Sequence, residues 1–123
     1  MTFAATGLQA KLRLGDAEDP IPGLLALSDE FGNRVDLLLG LRGLEPAAFA
    51  RAIEVPFQGQ SLRFIGREDF VAMKLFAGGP LDIADAKQVF AAAAETMDLN
   101  LLRRLAGRYG REAAARLDQL LES

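Results

Sequence analysis

Residues 68–86 read Glu68-Asp69-Phe70-Val71-Ala72-Met73-Lys74-Leu75-Phe76-Ala77-Gly78-Gly79-Pro80-Leu81-Asp82-Ile83-Ala84-Asp85-Ala86. The stretch spells two helices with a tight break at Gly78-Gly79-Pro80. Two glycines permit the reversal, and Pro80 suits a first helical turn, where its missing N–H is no loss. The first helix is apolar almost all round, and Lys74 is the only charge between Phe70 and Ala77. On the second, Asp82, Ala86, Val89, Phe90 and Ala93 recur at i, i+4, i+7, i+8 and i+11, one stripe that should face inward. A cation and an anion thus fall on the inward faces of adjoining helices.

Two explanations fit those charges. In the structural one, Lys74 snorkels to the surface or pairs with Asp82 across the turn, and Asp82 caps N–H groups at its helix start. In the functional one, Lys74 points at an anion such as a phosphate, with Asp82 and Asp85 holding it in place. Structural ion pairs and functional sites perturb charges alike, so residue types leave both open.

Downstream, 98–109 and 111–121 read as two more helices broken at Gly110, with Asp98 a natural N-cap. Arg103, Arg104, Arg108, Arg111 and Arg116 gather there and read as a solvated face. Upstream, 53–57 and 61–65 form a hairpin around Gln58-Gly59-Gln60, with Pro56 weakening its first strand or placing it at an edge. Before it, a short helix runs from Glu45-Pro46 to Ala52, anchored by Phe49. Another hairpin pairs 23–27 with 34–39 across a polar, glycine-containing turn. Residues 9–14 alternate as a short strand with Leu8, Ala10, Leu12 and Leu14 on one side, and 16–22 is an exposed loop. In 35–39, period-2 alternation sets Val35, Leu37 and Leu39 on one face and Asp36 with Leu38 on the other. Asp36 is a carboxylate in mid-strand, which demands either a partner or a solvent-facing position near a sheet edge. The expected architecture is α+β: a small antiparallel or mixed sheet of two hairpins packed against a helical C-terminal half, strands mainly over 1–66 and helices over 67–123.

Composition bounds the chemistry. A chain of 123 residues, half hydrophobic and a quarter charged, is ordinary for one globular domain. It has no cysteine and no histidine, which removes disulfides, thiolate catalysis, a Ser-His-acid triad and His- or Cys-bound metals. Any metal would be a hard cation on carboxylates. No apolar run approaches the ~18 residues of a membrane span and no signal peptide opens the chain, so the expected location is cytoplasmic, with no membrane partner. A net charge of −3 argues against general nucleic-acid binding, although charge can segregate locally.

The strand Val35-Asp36-Leu37-Leu38, then Glu68-Asp69-Phe70-Val71-Ala72-Met73-Lys74, then Pro80-Leu81-Asp82-Ile83-Ala84-Asp85, resembles the nucleotidyltransferase superfamily. It is most similar to small bacterial proteins related to abortive-infection toxin nucleotidyltransferases and to the minimal nucleotidyltransferases. The resemblance runs from about residue 23 to the C-terminus. It implies a nucleotidyltransferase-like fold and Mg²⁺-dependent transfer of a nucleotide from a nucleoside triphosphate (NTP) to an acceptor hydroxyl. By it, Asp36 matches the third carboxylate, a catalytic and metal-binding residue. Lys74 matches the lysine that reaches the phosphates, and Asp82 and Asp85 match the acids of the following helix. Metals and lysine would offset phosphate charge and align an in-line displacement.

The family's first acid pair, Asp-x-Asp after a Gly-Ser or Gly-Gly turn, has no counterpart here. Asp16-Ala17-Glu18-Asp19 has the acids but lies in a proline-flanked loop, and Gly78-Gly79 follows a helix rather than a strand. The family pattern places the missing strand, helix and acids before Met1, so the expectation is an N-terminally incomplete domain. One carboxylate cannot hold two Mg²⁺ ions, and the chain alone should not be a competent enzyme. The alternative expectation is a non-catalytic module that binds a nucleotide or a protein partner, in a toxin–antitoxin-like pair. An exposed sheet edge would also suit a homodimer or a partner subunit.

Overall fold

Alternation sorts the N-terminal strands into one charged and one apolar face. The structure, a computed structural model, describes residues 7–19 and 21–123 and the backbone of Thr2–Phe3. The chain divides into two compact units, Met1–Arg42 and Gly43–Ser123. In the first, β1 (Thr2–Phe3), β2 (Leu8–Leu14), β3 (Gly23–Ser28) and β4 (Arg34–Leu38) form an antiparallel sheet in sequence order. Its cross-strand rows are Gln9–Ser28–Arg34, Lys11–Ala26–Asp36 and Arg13–Leu24–Leu38 on one face. The opposite face carries Ala10–Leu27–Val35 and Leu12–Leu25–Leu37 and no charge. Asp29 fixes the β3–β4 turn by accepting from the backbone N–H of Phe31 and Asn33 and from the Asn33 amide. Those bonds, the Asn33 side chain's first, hold its carboxyl below the usual range.

The second unit contains α1 (Ala47–Ala50), β5 (Ile53–Phe57), β6 (Gln60–Phe64), α2 (Arg67–Ala77), α3 (Pro80–Ala93), α4 (Leu99–Tyr109) and α5 (Arg111–Glu122). Helix α2 packs against α3, α4 and α5 at once, which is why its sequence shows almost no polar face. Val71, Ala72 and Leu75 from α2 meet Ala86, Met97, Leu102, Leu105, Ala106, Leu117 and Leu120 in one buried cluster. Each fully buried leucine there contributes roughly 1.5–3 kcal/mol of transfer free energy. Asp98 caps α4 by accepting from the Leu101 N–H at 3.0 Å, as its position foretold. Its own N–H donates to Glu68, joining the start of α4 to the first turn of α2.

The α+β class is thus present, but four expectations need correction. The two hairpins do not share a sheet: β3–β4 extends β2, while β5–β6 stands as a separate two-stranded ribbon. Residues 58 and 59, both at positive φ, turn that ribbon in two residues, so β6 begins at Gln60 rather than at 61. The short helix spans only Ala47–Ala50, and its inward residue is Ala48, with Phe49 exposed. The arginines of the last two helices are not merely a solvated face. Arg104 pairs with Glu45, Arg108 donates to the Gly43 carbonyl, and Arg116 donates to the carbonyls of Leu75 and Phe76.

Arg116 therefore caps the C-terminus of α2 from α5. Gly78, directly after α2, has φ +72° and donates its N–H to the Lys74 carbonyl. A Cβ at Gly78 would fall 2.4 Å from the Arg116 guanidinium carbon. Gly78→Ala is predicted to lower unfolding free energy by about 1–3 kcal/mol, combining left-handed strain with a displaced cap. In chemical denaturation, Arg116→Ala should remove part of that loss. Additive losses would show that the two positions do not interact.

Candidate functional site

The α2–α3 turn decides where Lys74 goes. Lys74 lies in the last turn of α2, and Gly79 and Pro80 start α3 so that Asp82 occupies its first turn. Asp82 and Asp85, one helical turn apart, then face the lysine. Lys74 Nζ is 3.3 Å from Asp82 Oδ1 and 3.0 Å from Asp85 Oδ2. The other Asp82 oxygen accepts the Gly79 N–H at 3.2 Å. Phe70, one turn before Lys74, places its ring centroid 5.5 Å from the ammonium. The Lys74 pKa is raised by the hydrogen bond to Asp85 and then by Asp82, with burial opposing. The lysine remains a cation, and the triad carries a net charge of about −1 near neutral pH.

The cluster is half-open: side-chain exposure is 23% for Lys74, 32% for Asp82 and 47% for Asp85. It brings together three of the four residues singled out in the sequence. The fourth, Asp36, belongs to the other unit. It lies on exposed β4 opposite Ala26, with Arg34 Nε donating to its Oδ1 at 2.8 Å. Among the described residues no three acidic side chains converge as a metal site. Asp36 is matched by Arg34, and Asp82 and Asp85 share Lys74. These residues alone do not fit a pair of Mg²⁺ ions.

A second charged group escaped the sequence reading. Asp69 is 2% exposed, yet it stands in the first turn of α2. Arg51 clamps it through two bonds, Nε to Oδ2 at 2.8 Å and Nη2 to Oδ1 at 2.7 Å. The third arm of Arg51 meets Glu45 Oε1 at 2.7 Å, and Glu45 accepts both Nη groups of Arg104. The sequence signal was weak because the partners are 18 and 59 positions apart. The fork geometry explains why arginine rather than lysine holds each junction. This network ties the segment around α1 to α2 and α4 and is structural.

No known family's model, no curated protein and no solved structure matches the chain.

Two predictions follow from these charge groups. Lys74→Met should cost at most about 1 kcal/mol, since Asp82 keeps the Gly79 N–H and all three side chains reach water. Thermal or urea denaturation checks this, and a loss of several kcal/mol would mean that the pair is more deeply desolvated than its exposure indicates. For Glu45, Arg104 foremost and then Arg51 depress the carboxyl from 4.5 to about 2. A depressed carboxyl stabilises the fold fully above its unfolded value, and that contribution is lost as pH falls from about 4.5 through about 2. Glu45→Gln should therefore flatten the acid limb of stability in that window. An unchanged limb would exclude Glu45 as its source.

Proposed function

We propose that this chain is a nucleotidyltransferase-like module that engages a nucleoside triphosphate at the Lys74–Asp82–Asp85 turn and does not transfer nucleotides unaided. The observation that carries the reading is Lys74, at the end of the Glu68–Lys74 stretch, held between Asp82 and Asp85, 3.3 and 3.0 Å away. The raised pKa keeps the ammonium charged, and the partial exposure leaves it approachable. Because both carboxylates already share that cation, the triad attracts a bare phosphate poorly. A metal-associated phosphate, whose cation offsets the excess acid, fits it better.

In the complete family fold Mg²⁺ neutralises the triphosphate. Here the carboxylates for it would have to come from outside the described residues or from another chain. A specific observation also favours the second reading, a non-catalytic protein-binding module. The β5–β6 ribbon turns Ile53, Val55, Phe57, Leu62 and Phe64 to one face, all of them exposed. Two-stranded ribbons are marginal alone in water and gain stability when such a face is covered.

Calorimetric titration with each NTP, with and without Mg²⁺, tests the first reading. The component of binding that requires Mg²⁺ should fall at least about tenfold in Lys74→Met, the loss of one charge-assisted contact. No binding under either condition, or binding indifferent to Lys74, would overturn it. In a labelled-nucleotide assay the chain alone should give no incorporation. Metal-dependent incorporation would instead show that its own acids complete the site.

A further inference from the structure

The charged face of the β2–β3–β4 sheet has a feature that the turn around Lys74 does not share: cations without matching acids. β-Pairing puts Gln9, Ser28 and Arg34 in one row, Lys11, Ala26 and Asp36 in the next, and Arg13 in the third. Lys11, Arg13 and Arg34 are therefore on the same side. With Ala10, Ala26, Gln9 and Ser28 they line an open hollow of about 640 Å³. That volume lies within the roughly 300–1,000 Å³ of small-molecule sites. Asp36 is the only acid in these rows, and its salt bridge takes only the Nε of Arg34. Lys11 and Arg13 make no ion pair among the described residues. The unit's other acids, Asp16, Glu18, Asp19, Asp29 and Glu30, lie in the loops, where the Asp19 carboxylate accepts the Asp16 backbone N–H and Asp29 holds its turn. The face thus carries about two net positive charges in a chain whose total is −3.

We propose that this hollow binds a run of linked phosphates through Lys11, Arg13 and Arg34. Its shape sets the class. Lys11 and Arg13 are two residues apart on one strand, about 7 Å, and Arg34 is two strands away, about 9.5 Å across. Cations rooted that far apart can each take a separate phosphate of a linked run, so two or three linked phosphates engage all three without drawing the side chains together. Ala26 and Ser28 keep the floor low enough for a ligand backbone to lie on the sheet, and the Gln9 amide and Ser28 hydroxyl add donors. Among the described residues no aromatic or large aliphatic side chain lines the hollow, so they offer no stacking platform for a base. Recognition is of the phosphates, and their source is either the polyphosphate of a nucleotide or the backbone of a nucleic-acid strand. The site is separate from the Lys74 turn and does not rest on transferase activity.

The test is calorimetric titration of the full chain with sodium tripolyphosphate at low salt, without metal. The wild-type protein should bind, and added salt should weaken the binding. The double variant Lys11→Glu with Arg13→Glu should lose at least about tenfold in affinity, with circular dichroism confirming an unchanged fold. Lys11→Gln with Arg13→Gln should fall between. Lys87→Glu with Arg103→Glu makes the same charge change on exposed positions of α3 and α4 and should leave binding intact. Absence of wild-type binding, or equal loss in the two Glu double variants, would overturn the site. A parallel titration with a short oligouridylate identifies the source. Tighter binding than tripolyphosphate, lost in Lys11→Glu/Arg13→Glu, assigns a nucleic-acid backbone, and weaker binding assigns a free polyphosphate. A failed nucleotide-transfer assay leaves these outcomes unaffected, because neither the metal nor Lys74 takes part.

Discussion

Helix α2 is the constraint on which the helical unit depends. Its residues Val71, Ala72 and Leu75 are essentially without solvent exposure, and no single neighbour can cover a helix that is apolar around its circumference. Helices α3, α4 and α5 must therefore close on it from three sides. The turn at Gly78-Gly79-Pro80 follows from the same demand. It has to return the chain within two residues so that Ala86, with Val89 and Phe90 beside it, reaches that surface.

Burying α2 carries its polar residues inward, and each is dealt with by a different neighbour. Asp69 meets the fork of Arg51, Glu68 takes the Asp98 N–H, and the last carbonyls of the helix meet Arg116. Lys74 exits beside the turn and meets two carboxylates of α3. An ion buried without a partner would cost several kcal/mol, so these pairs are conditions of packing before they are anything else. The geometry that satisfies Lys74 structurally also leaves a charged amine at a half-open turn.

The two units solve opposite electrostatic problems. In the helical unit nearly every cation near α2 is matched by a carboxylate or a carbonyl, whereas on the sheet face Lys11 and Arg13 have no acid paired with them among the described residues. Strand alternation causes the difference. A period of two can send all the charge of three strands to one side, while a helix packed on several sides must pair its charges where they fall.

By itself the sequence determined what local spacing can encode. The α2 and α3 starts at Arg67 and Pro80, the Asp98 cap, the β3–β4 pairing and the split of Val35 and Leu37 from Asp36 are all functions of residues a few positions apart. The pairing of Lys74 with Asp82 was legible for the same reason, since eight residues and one turn separate them. Tertiary structure alone decided that the hairpins belong to separate sheets, that Ala48 rather than Phe49 faces inward, and that Asp69 is buried under Arg51. It also gathered Lys11, Arg13 and Arg34 from two strands onto one face. Such partners meet only after the chain has paired its strands and closed its helices, and no periodicity links residues 18, 23 or 59 positions apart.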